Sequence, residues 1–104
     1  MTQDITLKEL NLLIDTSRVL IIDVRSHREF KDFHIPGAVN VPLEEIESGR
    51  FQPEPGVCII TVCASGGGRS KRAASMLKRQ FNNPVYSLIG GTYGFFNYDA
   101  TPTL

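Results

Sequence analysis

No apolar run in this 104-residue chain could cross a membrane: the longest, VLII and VCIITV, fall far short of the roughly 20 residues a spanning helix requires. The opening, MTQDITLKEL, lacks the basic leader and apolar core of a secretory signal. Cysteine is scarce too. Cys58 and Cys63 are the only two, and without a secretory signal they imply a reducing, cytoplasmic setting in place of a disulfide framework. Extended chain at roughly 3.3 Å per residue would in any case hold them beyond bridging distance. Nor do Cys58, Cys63, His27 and His34 have the spacing of a zinc site. Net charge is also missing, with 11 basic residues against 11 acidic ones.

What is present is ordinary for a soluble globular protein: 41% apolar, 21% charged, and enough chain to bury a core without staples. The charges are unevenly spread. Residues 1–56 carry six basic and ten acidic side chains, whereas residues 57–104 carry five basic ones against Asp99 alone. A positive second half would attract anions and favour a thiolate at Cys63. The basic surface is small and has no interleaved aromatics, so nucleic acid is not an expected partner, and neither is a membrane.

Hydrophobic spacing predicts alternating strands and helices. Thr6-Leu7-Lys8-Glu9 has the form of a capping box and opens a helix through Ile14, with Leu7, Leu10 and Ile14 on its apolar face. VLIID, 19–23, is a short continuous apolar run suited to a parallel strand buried on both faces. One or two helical turns follow over 26–33, then a Pro-Gly turn and a short strand, Val39 to Val41. A brief helix over 43–49 ends at Gly49. VCIITV, 57–62, is the clearest strand, and 69–81 is a helix with Ala73, Ala74, Leu77 and Phe81 on one face and Lys71, Arg72, Lys78 and Arg79 largely opposite. VYSLI forms a last strand, and GGTYGFFNY an aromatic tail with one more helical turn. This order reads as one α/β domain over residues 1–104, with a central, mostly parallel sheet flanked by helices. Its ligand site belongs at the carboxyl ends of the strands, where Cys63 falls.

The segment CASGGGRS, 63–70, carries the chemistry. A thiol of ordinary pKa, roughly 8.5, is mostly protonated at neutral pH. Three features would lower it: consecutive glycines that let several N–H groups converge, the dipole of the following helix, and the guanidinium of Arg69. Cys58, among apolar neighbours, reads as a packing residue. The loop is neither a Walker A sequence nor a dinucleotide fingerprint, since position 63 is not glycine and position 71 is lysine. His27 and His34 read as structural.

LIIDVRSHREF, HIPGAVNVP, VCASGGGRS and YSLIGG together resemble, in order, the successive motifs of the rhodanese sulfurtransferase family across effectively the whole chain. The resemblance implies a three-layer α/β domain with Cys63 as catalytic nucleophile. Cys63 would take sulfane sulfur from a small anionic donor such as thiosulfate and pass it from a persulfide to a thiol or protein acceptor. Ala64, Ser65, Gly66, Gly67, Gly68, Arg69 and Ser70 would bind the substrate, the amides holding the persulfide and Arg69 the anionic donor. Asp23 and Arg25 would be structural, and no metal or organic cofactor is implied.

Two features depart from the family. Phe33 stands where glycine is common before His-Ile-Pro-Gly, which should change a turn. The loop places five residues between Cys63 and Arg69 where sulfurtransferases usually have four, which is the spacing of cysteine phosphatases and related arsenate reductases. An added glycine that bulges outward would leave the cradle nearly unchanged. A phosphatase would need an acid for the leaving group; Asp32 or Glu29 could approach from another loop, and Asp99 is the sole acid after Glu54. Sulfur transfer is the favoured expectation, with phosphatase or arsenate reductase as the alternative and a non-catalytic binding module third. Tyr93, Phe95 and Phe96 could line the pocket but read rather as core.

Overall fold

Thr6 caps the first helix as its sequence predicts. Its N–H donates to Glu9 Oε1 at 2.9 Å, and the Glu9 N–H donates back to Thr6 Oγ1 at 3.1 Å. The computed structural model describes residues 3–100, and the side chains of residues 3–97. Along the chain it places β1 (Gln3–Ile5), α1 (Leu7–Thr16), β2 (Val19–Asp23), α2 (His27–Asp32), β3 (Val39–Asn40), α3 (Leu43–Glu47), β4 (Cys58–Val62), α4 (Gly68–Gln80), β5 (Val85–Leu88) and α5 (Gly91–Ala100). The five strands form one all-parallel sheet in the order β1-β5-β4-β2-β3. Among the described residues no helix is long and apolar enough to cross a membrane.

The period-two pleat divides the core between two helical layers. Ile22, Val24, Val57, Ile59 and Cys63 face α3 and α4, where they meet Ile46, Ala73, Ala74 and Leu77. Ile21, Cys58, Ile60, Val62 and Leu88 face the other way, onto Leu10 of α1 and Phe95 of α5. The central strand β4 is buried on both sides, so it reads as unbroken apolar sequence apart from Thr61. Cys58 and Cys63 lie on opposite faces of the sheet, which separates them more firmly than distance along the strand does.

Two expectations are corrected, and one strand was missed. The first helix extends to Thr16, and Ile14 is half exposed; the inward stripe runs Leu7, Leu10, Leu13, of which Leu10 is buried and the other two partly so, and Ile14 lies about 100° round the helix from Leu13, towards solvent. β1 was not legible, since three residues with one inward side chain, Ile5, present no period. The glycine-broken tail forms a ten-residue helix in place of a single turn. Gly91 and Gly94 weaken helix propensity there, but contacts of α5 with the rest of the fold override it. The opposite charges of the two halves of the chain meet across the fold: Arg69 pairs with Glu29, Arg72 with Glu47 at 3.0 Å and Lys71 with Asp4 at 3.8 Å. Much of the expected positive field is therefore neutralised by pairing.

Candidate active site

Beyond β4 the chain passes to β5 on one side, whereas beyond β2 it passes to β3 on the other. The carboxyl ends of these two central strands thus flank the point at which parallel sheets of this kind hold ligands. Cys63 is the first residue past β4, only 3% exposed and turned to the α4 face. The chain then turns through Gly66 at φ +79, so close to Gly90 that an added Cβ would lie 2.6 Å from the Gly90 nitrogen. The second approach is reciprocal. Gly91, at φ +58, leaves room for the Cys63 carbonyl, which a Cβ there would meet at 2.6 Å. The first amides of α5 complete the seat, Thr92 N–H donating to Cys63 O and Tyr93 N–H to Ala64 O, both at 2.9 Å. The two glycines of YSLIGG therefore serve the Cys63 loop through backbone contact. Gly67 and Gly68 are exposed, with open space at the Cβ positions, and Gly68 is already the first residue of α4.

The thiol sits in a small hydroxyl circuit. Cys63 Sγ donates to Ser70 Oγ at 3.2 Å, Ser87 Oγ donates to the same oxygen at 3.0 Å, and Ser70 Oγ donates to Gly67 O at 3.2 Å. Thr61 Oγ1 donates to Ser70 O at 2.8 Å and so ties the first turn of α4 to β4. Burial pushes the Cys63 thiol up. Hydrogen bonds to the thiolate from the Ser70 hydroxyl and from the amides of Ser70, Gly66 and Gly67 together outweigh it, and the pKa lies below its ordinary value. Cys58, with burial alone, is shifted upward.

Ser70→Ala should therefore raise the pH midpoint for iodoacetamide alkylation of Cys63, followed by mass, by about one unit or more, since hydrogen bonds to charged groups contribute roughly 1.5–3 kcal/mol. An unmoved midpoint would leave the amides as the whole source of the shift. Thr61 and Ser87 were not singled out from sequence. Their signal was a hydroxyl residue inside each of two apolar strands, VCIITV and VYSLI.

Arg69 projects towards α2. Its Nη1 and Nη2 donate to the two carboxylate oxygens of Glu29 at 2.8 and 3.2 Å, and this partner holds the Glu29 pKa down to about 2. Of the two carboxylates expected to approach, Glu29 thus reaches the loop through Arg69. Asp32 lines an adjoining cavity of about 610 Å³ with Arg28, Glu29 and Lys31. The side chain of Asp99 lies outside the described residues.

The base of the loop is rigid. Asp23 and Arg25, each 1% exposed at the side chain, form a fork-to-fork pair, and Arg25 Nη2 donates onward to Phe33 O at 2.6 Å. Asn40 donates to the carbonyls of Asp23 and Arg25, both at 3.0 Å, which explains the asparagine of HIPGAVN. His27 is bonded to Asn40, while His34 donates to Phe30 O and stacks on the Phe30 ring. Phe33 does more than alter a turn. Its ring touches Tyr93 and Phe96, each at 5.5 Å between centroids, and lies 5.5 Å from the Arg25 guanidinium. Tyr93 and Phe96 are partly exposed, and only Phe95 of the three aromatics packs against the core.

Comparison with known proteins gives a consistent picture. The Rhodanese-like domain matches residues 6–98. The chain is 34% identical over 89 residues to YrkF of Bacillus subtilis (strain 168), provisionally named a sulfur carrier protein, covering 85% of this chain and 48% of YrkF. It therefore spans about half the length of that relative. A rhodanese homologue from the extreme thermophile Thermus thermophilus superposes with a TM-score of 0.71 at 30% identity, over 88% of this chain and 99% of that one. A thiosulfate sulfurtransferase from Pseudomonas aeruginosa gives 0.78 at 30% identity, over 94% of this chain and 19% of that one.

Proposed function

The chain belongs to the rhodanese-like family, and on that premise we propose that it is a sulfurtransferase working through a persulfide on Cys63. The Cys63 thiolate attacks the sulfane sulfur of thiosulfate or a similar donor. A Cys63–sulfur bond forms, the donor's sulfur–sulfur bond breaks, and sulfite leaves with the electron pair. The terminal sulfur then passes to a thiophile, cyanide in an assay and a thiol or protein in the cell, regenerating the thiolate. The observation that carries this reading is the buried thiol at the end of β4, its pKa lowered by the Ser70 hydroxyl and three amides. The same donors that favour a thiolate would favour the terminal anion of a persulfide. The family supports a sulfur-transfer role; thiosulfate as donor is the finer part of the proposal.

The Cys63-x5-Arg69 spacing gives a second reading, phosphatase or arsenate reductase, some weight. One observation counts against it. Glu29 is ionised and bound to Arg69, so it has no proton to give a leaving group. Intact mass after thiosulfate treatment separates the two. A gain of one sulfur atom, removed by cyanide, is expected; no gain, with release of phosphate from an aryl phosphate, would replace this reading by the second.

A further inference from the structure

Arg69 is the cation of the loop, yet its two terminal nitrogens are already engaged. Glu29 meets them in the bidentate geometry that a carboxylate or other oxyanion would use. Glu29 is itself fixed from behind, because its Oε1 accepts the Ser26 N–H and the Ser26 hydroxyl, both at 3.1 Å, in the capping box that opens α2. The carboxylate is therefore held in place by two elements at once. A dianion arriving at Arg69 must displace or sit beside a fixed negative charge, and a donor of lower net charge meets less of that repulsion. The cavity beside Glu29 carries two positive and two negative side chains, Arg28 and Lys31 with Glu29 and Asp32, and so offers a dianion no net positive charge.

We infer that Glu29 is a selectivity-determining residue, which turns the loop away from dianionic oxyanions, thiosulfate and phosphate alike, and towards a persulfide borne on a small organic thiol. The inference rests on the sulfurtransferase reading and narrows its donor. In the step it describes, the Cys63 thiolate attacks the outer sulfur of R–S–SH. The Cys63–sulfur bond forms, the bond to R–S breaks, and R–S⁻ leaves with the electron pair and takes up a proton. No further oxidant or reductant is needed.

The test is the rate of sulfur loading on Cys63, with thiosulfate and with cysteine persulfide as donors, in the wild type and in Glu29→Gln. Glutamine keeps the capping acceptor and removes the charge. The wild type should prefer cysteine persulfide by about tenfold or more in kcat/KM, and Glu29→Gln should cut that preference about tenfold, chiefly through a lower KM for thiosulfate, the order expected for one charge at a partly exposed site. Glu29→Asp, which keeps the charge, should restore much of the preference. Equal use of both donors by the wild type, or a ratio untouched in Glu29→Gln, overturns the inference and leaves sulfur transfer standing. Loading by neither donor overturns the sulfurtransferase reading and the inference with it. Should Glu29→Gln fail to fold, the wild-type ratio alone decides.

Discussion

Cys63→Ser should abolish sulfur loading, a loss of at least about a thousandfold measured as cyanide-dependent transfer, because the change removes the nucleophile and not merely an aid to it. A serine hydroxyl in the same place would be mostly un-ionised near neutral pH and has no sulfur on which a persulfide could form. The substitution is otherwise mild. Oxygen is smaller than sulfur, the Ser70 hydroxyl remains as a partner, and a stability loss of about 1 kcal/mol is the expected order for one such buried change. A melting curve close to that of the wild type would show that lost transfer is chemical. Cys58→Ala is the matching control. That thiol faces α1 and α5 on the opposite side of the sheet and has burial alone acting on its pKa, so transfer should persist without it. Transfer that survives Cys63→Ser would move the nucleophile elsewhere and remove the basis of the proposed function.

Much of this architecture was legible because burial and periodicity agree locally. β2 and β4 are runs of apolar, largely β-branched residues, and a strand covered on both faces can hardly be written otherwise. The Cys63 loop was legible because its requirements are backbone requirements, and glycine announces them. What escaped is information held between segments. Ser87 and Ser70 stand 17 positions apart and Arg69 and Glu29 stand 40 apart, and no local pattern predicts which partner a hydroxyl or a guanidinium will find. β1 escaped because its three residues gain their order from pairing with β5. α5 was read as a broken tail because local propensity is the only term visible in sequence, whereas its contacts with Cys63 O and Ala64 O are tertiary. The charge asymmetry misled in the same way: summed along the chain it implies a positive site, but pairing across the fold turns the cation of the loop towards a carboxylate.

The Asp23–Arg25 pair sets the second large expectation, on stability. Both side chains are buried at the base of the loop, where the Arg25 N–H and Nε–H donate to Asp23 Oδ1 at 3.0 Å and Nη2 donates to Oδ2 at 2.8 Å. Arg25→Ala would leave a carboxylate there with no guanidinium, free the carbonyl of Phe33 and open the space under its ring. Removing one member of a buried pair costs about 3–5 kcal/mol, a large part of the roughly 5–15 kcal/mol that holds a domain of this size together. At about 4–8 °C per kcal/mol for a domain near 100 residues, the melting temperature should fall by about 15 °C or more. Arg25→Lys should recover little, because an ammonium cannot reproduce the fork that meets both carboxylate oxygens. The double change Asp23→Leu with Arg25→Met should be less damaging than Arg25→Ala, since it removes both charges and refills the space with apolar side chains. If Arg25→Ala instead melts within a few degrees of the wild type, the pair does not brace the loop, and Cys63 must owe its position to α5 and to the hydroxyls of Thr61, Ser70 and Ser87.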